Sequence, residues 1–330
     1  MTLETITPTE FGGMRLISAA DVAARTSTTD AVDALEAALR SGLDPEHDVP
    51  RSRVTTQTGE LLIMPSTLAG LSGVKLLSST PDNAVRDQPA IQGAYLLFEG
   101  PGQRPAALID GIALTNLRTP AVSALAVRHL APPAARQERV AIFGTGPQAR
   151  AHALALLEER DVASIDVVGR KPDAVRELAD ELGAAGVEVS THPVEDCAAA
   201  VREADIICLC TGARTALFDG ALVKDSAVVV AIGSHFTDTR ETDDTLVGRA
   251  TVVVESRATT LREGGDVVIP LGSGVLREED VVTLADVVTG RHAVDPARPR
   301  FFKTTGMPWE DLVVAAEVYR AADPDGADAR

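Results

Sequence analysis

From Val140 onward the apolar residues of this chain come in short runs, not in long stripes. Val140–Phe143, Ile165–Val168, Val187–Val189, Asp205–Leu209, Ala227–Ile232 and Thr251–Val254 are each of strand length and rich in β-branched residues. Runs of this kind suit strands buried on both faces. Between them lie helical or turn-rich segments such as Ala149–Leu157 and Asp173–Leu182, and that alternation predicts a doubly wound α/β sheet. The first half reads differently. Residues 18–40 predict two helices, the second over Thr29–Leu39 with Val32, Leu35, Ala38 and Leu39 on one face. After them come short β segments at Arg51–Thr56, Leu61–Pro65, Ser72–Leu77, Ala94–Phe98 and Ala106–Ile109, split by Gly and Pro turns as in a largely antiparallel sheet. A helix is predicted over Val122–Leu130, just after Pro120.

The turn after Val140–Phe143 carries chemistry. Gly144-x-Gly146-x-x-Ala149 fits a dinucleotide fingerprint: one glycine makes the tight turn, the next admits a pyrophosphate, and a small third residue packs helix on strand. Thr145, Pro147 and Gln148 complete the loop and begin a helix whose N-terminus would face the phosphates. Where the second strand ends, near the ribose, an acidic residue would favour NAD. This chain has Gly169-Arg170-Lys171 there, a space and two cations suited to a 2′-phosphate, so NADPH is expected ahead of NADH. Ligands of such sheets bind beyond the carboxyl ends of strands, which makes Thr211, Gly233, Ser234 and His235 further candidates.

Composition narrows the partners. A formal charge of −17 argues against nucleic acid or an anionic membrane as a partner. The first twenty residues lack a basic start and an apolar core, and only three cysteines occur without CxxC spacing, so a cytoplasmic protein with no disulfide framework and no metal site is expected. A length of 330 residues suggests two domains, and the Asp/Ala/Gly-rich tail after Ala321 reads as frayed. Two cations in the first half stand out. Lys75 interrupts an apolar stretch between Val74 and Leu76, where it needs a cleft or an acidic partner. Arg118-Thr119 lies just before the nucleotide-binding half; on composition alone Arg51, Lys75 and Arg118 could equally be unrelated surface charges.

Taken together, Arg51 ahead of Met64-Pro65, Lys75 with Pro81-x-Asn83, Arg118-Thr119, Gly144-x-Gly146-x-Gln148-Ala149, Gly233 with Glu241, and Thr305-Gly306 with Asp311 resemble the ornithine cyclodeaminase/mu-crystallin family from about residue 10 to residue 320. The resemblance implies an α/β protein in which a Rossmann domain (120–302) is inserted into an α+β substrate-binding and dimerisation domain (1–119 plus 303–330) that forms a homodimer. It implies that Arg51, Lys75 and Arg118 hold the carboxylate of an amino or imino acid, with Arg53 a rival for Arg51, and that Thr119 and Gly306 join the cofactor site. Family cyclodeaminases carry an aspartate after the glycines corresponding to Gly233-Ser234; this chain has His235, which would not attract a distal ammonium group. The expected reaction is therefore reduction of a cyclic ketimine carboxylate, with Lys75 or His235 as the acid. An amino-acid dehydrogenase, a lyase that recycles NAD internally and a binding protein that retains the pocket are the alternatives. Glu263 and Asp266 are placed at the pocket mouth.

Overall fold

The computed structural model describes residues 13–86, 88–132 and 137–322. Residues 1–12, which belong to the segment read as lacking a signal sequence, and residues 323–330 of the tail read as frayed lie outside the described residues. The chain divides into two compact units. One takes in the chain up to Leu35, His47–Arg118 and the chain from Met307 on; the other takes in Glu36–Glu46 and Thr119–Gly306.

The first unit is built on a six-stranded sheet of β1 (Arg15–Ile17), β2 (Ser52–Thr55), β3 (Glu60–Leu68), β4 (Leu71–Ser79), β5 (Ile91–Glu99) and β6 (Arg104–Asp110), in the order β1-β6-β5-β4-β3-β2. Only β1 and β6 run parallel; the other pairs are antiparallel. Ala69 and Gly70, both at positive φ, close the two-residue turn from β3 to β4, a conformation that matches the twist of a hairpin. Register places Met64, Lys75, Tyr95, Ile109 and Ile17 in one row across the sheet. All five are buried on the face covered by the helix Pro308–Ala321, which packs on β3, β4 and β5. On the opposite face a second register row runs through Val74, Leu96, Leu108 and Leu16.

The second unit carries an eight-stranded sheet of β7 (Glu138–Phe143), β8 (Val162–Gly169), β9 (Glu188–Pro193), β10 (Ile206–Leu209), β11 (Val228–Ala231), β12 (Thr251–Val254), β13 (Val282–Thr283) and β14 (Arg300–Lys303), all pairs parallel, in the order β13-β12-β14-β11-β10-β7-β8-β9. The chain leaves β7 toward β8 and β9, then returns to the other side of β7 for β10 and β11. The gap beyond the carboxyl ends of β7 and β10 is therefore the topological switch point, where such sheets take ligands.

Besides the short strands β1 and β13, which the sequence reading does not contain, two elements depart from it. The helix predicted from Val122 begins at Gly111 and continues through Pro120 to Leu130, so Arg118 and Thr119 are helical residues. Proline is a punctuation mark in sequence because it removes one helix hydrogen bond. Here the Asp110 carboxylate accepts from Ile112 N and Ala113 N to start the helix early, and burial of Leu114, Ala121, Val122 and Leu125 outweighs the lost bond. Strand β14 was not foreseen, because its Phe301-Phe302 pair is flanked by charges. Arg300 is nevertheless buried, its guanidinium donating to the carbonyls of Leu130, Ser226 and Arg298 at 2.9, 2.7 and 3.1 Å.

Candidate functional site

The parallel unit holds a cleft of about 730 Å³ at the switch point, lined by Gly144, Thr145 and Gly146, by Gly169, Arg170 and Lys171, and by the segment from Cys210 to Leu217. Its geometry explains the glycines. Gly144 sits at φ +111, and a Cβ there would lie 2.4 Å from the Cys210 carbonyl oxygen; at Gly146 a Cβ would meet nothing within 4 Å, so that side of the loop is open. Pro147 begins the helix Pro147–Glu159 with Gly146 as its cap residue, which leaves backbone N–H groups directed at the cleft. Ala149 is fully buried, as close helix–strand packing requires. These residues fit a dinucleotide: the glycine loop leaves room that a pyrophosphate would need, and Arg170 and Lys171, both exposed beyond β8, line the same cleft.

Carboxylates with no role assigned from sequence shape the strand ends of this unit. Glu241 accepts from Thr211 N and Thr211 Oγ1 at 2.9 and 2.7 Å through Oε1, and from Gly233 N at 2.7 Å through Oε2. It thereby ties the segment after β10 to the segment after β11. Burial pushes its acid up to about 7, partly offset by the Lys303 cation and the hydrogen bond from Thr211. Glu255 does the same after β14, accepting from Thr304 Oγ1 and from the N–H groups of Thr305 and Gly306 at 3.0 and 3.1 Å. Gly306 is at φ +76, a left-handed position that suits glycine. Asp266, expected at the pocket mouth, is instead fully buried: it accepts from Glu241 N, Thr242 N and Thr242 Oγ1 and lies 3.4 Å from Lys303. Ser234 is turned inward, bonded to Thr239, so His235 stands part-buried in a tight loop after β11. The Thr119 carbonyl accepts from Ser123, whose hydroxyl also meets the buried His152 on the helix of the glycine loop.

In the antiparallel unit two of the three expected carboxylate ligands, Lys75 and Arg118, meet on one buried carboxylate. Lys75 Nζ lies 2.7 Å from Asp311 Oδ1, and Arg118 Nε reaches the same oxygen at 2.9 Å while its Nη1 lies 3.1 Å from Glu310 Oε2. Lys75, Asp311 and Glu310 are fully buried. Burial and the Arg118 and Arg51 charges pull the Lys75 ammonium down to about 8, against the opposing pull of Asp311. The rivalry between the two N-terminal arginines is informative. Arg51 is close enough to act on Lys75, whereas Arg53 is engaged at the surface by Glu60 at 2.6 Å. Lys75 thus has the acidic partner its apolar surroundings called for, 236 residues away in sequence. Asp48 completes the cluster, accepting from Ser66 Oγ at 2.8 Å and Trp309 N at 2.7 Å, its acid raised chiefly by burial.

Comparison with known proteins agrees over nearly the whole chain. The model of the ornithine cyclodeaminase/mu-crystallin family matches residues 14–325. A Δ1-pyrroline-2-carboxylate reductase of Paracoccus denitrificans is 32% identical over 319 residues, 93% of this chain and 96% of that one. The ketimine reductase mu-crystallin of Rattus norvegicus is 32% identical over 268 residues, 81% of this chain and 82% of that one. Among solved structures, Thermococcus litoralis Δ1-pyrroline-2-carboxylate reductase in complex with NADH and L-proline superposes with a TM-score of 0.87 at 28% identity, covering 95% of this chain and 98% of that one. The chain belongs to the ornithine cyclodeaminase/mu-crystallin family.

Proposed function

We propose that this protein is an oxidoreductase that reduces the C=N bond of a cyclic ketimine carboxylate, Δ1-pyrroline-2-carboxylate or Δ1-piperideine-2-carboxylate, to proline or pipecolate, with NADPH as the reductant. The observation that carries this reading is the buried cluster of Lys75 and Arg118 with Arg51 beside it, a cationic seat for one small carboxylate in a family with named imine reductases. Guanidinium groups grip a carboxylate with fixed geometry, and that grip orients the adjacent imine carbon. When bound, a reduced nicotinamide supplies hydride to that carbon. The nitrogen must gain a proton as the carbon gains hydride, and Lys75, still protonated at neutral pH, donates it and recovers it from water. His235 is the second candidate for that step. Activity should fall as pH rises through about 8, where Lys75 gives up its proton.

NADPH is favoured by Arg170 and Lys171, which replace an acidic residue at the ribose end of the cleft. A homodimer is supported by the antiparallel sheet: on the face opposite the helix Pro308–Ala321, Leu16 is 65% exposed and Leu76 46%, beside the row through Leu108, Leu96 and Val74. Sedimentation tests it, and a monomer at micromolar concentration would remove that part of the reading. A cytoplasmic location rests on the three unpaired cysteines.

The decisive experiment measures cofactor oxidation with Δ1-pyrroline-2-carboxylate, Δ1-piperideine-2-carboxylate and pyruvate plus ammonia, using NADPH and NADH in parallel. Turnover of a cyclic imine, faster with NADPH, is expected. Turnover of pyruvate plus ammonia alone would make the protein an amino-acid dehydrogenase, and ammonia release from ornithine with catalytic NAD would make it a lyase.

A further inference from the structure

Asp311 is the buried carboxylate that Lys75 and Arg118 share. Its Oδ1 takes Lys75 Nζ at 2.7 Å and Arg118 Nε at 2.9 Å, while its Oδ2, like Oδ2 of Asp166 and of Asp266, is buried with no hydrogen-bond partner among the described residues. A buried carboxylate with one oxygen left without a partner calls for an explanation. This one gathers two cations on a single atom and so fixes their separation. The arrangement has structural support on both sides. Glu310, next in the helix Pro308–Ala321, binds Arg118 Nη1 and accepts from Met307 N at 3.1 Å, so the first turn of that helix is locked to the guanidinium. Across the sheet, Lys75 pairs in register with Met64 and Tyr95, both buried, which leaves its ammonium little freedom to move.

We propose that Asp311 is a positioning residue of the reaction: it sets the spacing of Lys75 and Arg118 for the substrate carboxylate and keeps on Lys75 the proton that the imine nitrogen receives. The inference rests on the ketimine-reductase reading above and names the residue through which its acid is held ready. The charged and titratable groups around the pair are Arg118 and Arg51, which favour loss of the Lys75 proton, Asp311, which opposes it, and Glu310, Asp48 and Tyr95 beside them. Of these, Asp311 alone holds Lys75 against the combined effect of burial and two cations. The proton balance is simple. Hydride adds to the imine carbon, the N–H bond forms at the expense of a Lys75 N–H bond, and a proton from water restores the ammonium.

The test compares Asp311→Asn, Asp311→Glu, Lys75→Met and the double variant Lys75→Met/Asp311→Asn. In Asp311→Asn, kcat/KM for Δ1-pyrroline-2-carboxylate should fall about 30-fold at pH 7.5 and the alkaline limb should move to lower pH, with the KM for NADPH unchanged. Asp311→Glu should restore the position of the limb. In the Lys75→Met background the Asp311→Asn change should cost nothing further, and because that pair carries no unpaired ammonium it answers the question even if Asp311→Asn alone fails to fold. An undiminished effect in that background, or an alkaline limb that does not move, would overturn the proposal. Trp309, the single tryptophan of the chain, gives a readout free of turnover. Its emission should show a step near pH 8 in the wild type, at lower pH in Asp311→Asn and absent in Lys75→Met. If that pattern appears but no cyclic imine is reduced, the functional reading fails while Asp311 keeps its hold on Lys75; if imines are reduced and the step is unchanged in Asp311→Asn, the inference fails alone.

Discussion

The antiparallel and the parallel unit both bury carboxylates, and they use them against different partners. In the first, Asp311 and Glu310 face side-chain cations, Lys75 and Arg118, two charges against two, with Arg51 a further cation near Lys75. In the second, Glu241 and Glu255 face backbone N–H groups, at Thr211, Gly233, Thr305 and Gly306. The first arrangement acts on the protonation of Lys75; the second fixes the shape of loops at strand ends. The comparison predicts where each kind of substitution should act. Changes in the antiparallel cluster should register in catalysis and its pH dependence, and changes in the parallel unit should register in cofactor affinity.

The largest expected effect is on the catalytic side. Lys75→Met removes the proposed acid, and kcat/KM for a cyclic imine should fall about 1,000-fold with the cofactor Kd unchanged, a typical loss for general-acid catalysis. Equal losses in imine turnover and cofactor binding would break the division of labour. Next in size is Gly144→Ala. The new Cβ would meet the Cys210 carbonyl oxygen at 2.4 Å in a backbone conformation that disfavours side chains, a strain of about 2–3 kcal/mol. Cofactor affinity measured by nicotinamide fluorescence should drop about 100-fold, and unchanged binding would mean the loop does not hold the pyrophosphate.

How much of this could be read from the residues depends on what each site demands. The glycine loop was legible because backbone geometry dictates residue type at fixed spacing: only glycine tolerates φ +111 at Gly144. The strands β7, β8, β10, β11 and β12 were legible because strands buried on both faces must be apolar throughout, whereas β9 is an exposed edge strand. Lys75 was visible as an anomaly, a lysine in an apolar run, but its partner was not, since nothing local marks Asp311 as its ion-pair mate from 236 residues away. Strand β14 escaped for a related reason. Arg300 looks like a solvated charge until the carbonyls of Leu130 and Ser226 are seen to receive it. Asp266 was misplaced at a pocket mouth because a carboxylate next to glycines reads as a loop residue; its acceptor role toward Glu241 N and Thr242 N depends on a chain reversal that spacing does not show.

Arg170→Asp probes the ribose end of the cleft with a smaller effect. Losing one charge-assisted contact and adding a repulsive carboxylate should shift the NADPH/NADH ratio of kcat/KM about 30-fold toward NADH, equivalent to about 2 kcal/mol. A parallel loss for both cofactors would place the 2′-phosphate elsewhere and leave Arg170 a solvated charge.

Glu241→Gln has the smallest expected effect and separates the two kinds of carboxylate most sharply. The wild-type side chain offers an oxygen to each side, Oε1 to Thr211 and Oε2 to Gly233 N at 2.7 Å. Glutamine keeps one oxygen and turns an NH2 group toward a donor on the other side, so one buried N–H loses its acceptor at a cost of about 1–3 kcal/mol. Part of that cost falls on the cleft through Thr211, which lines it, and the cofactor Kd should rise about 5-fold. The pH dependence carries the sign. The acid is raised from 4.5 to about 7 in the folded protein, so between those values the folded state binds more protons than the unfolded chain. The contribution of Glu241 to stability is then full below about 4.5 and is lost as pH rises to about 7, while glutamine cannot titrate. The Tm gap between wild type and variant should therefore narrow from pH 5 to pH 7.5. The wild-type cofactor Kd should tighten over the same range as the ionised carboxylate becomes the acceptor for both loops. A pH dependence of Kd that survives in Glu241→Gln would assign the titration to another group and leave Glu241 a purely structural tie between the ends of β10 and β11.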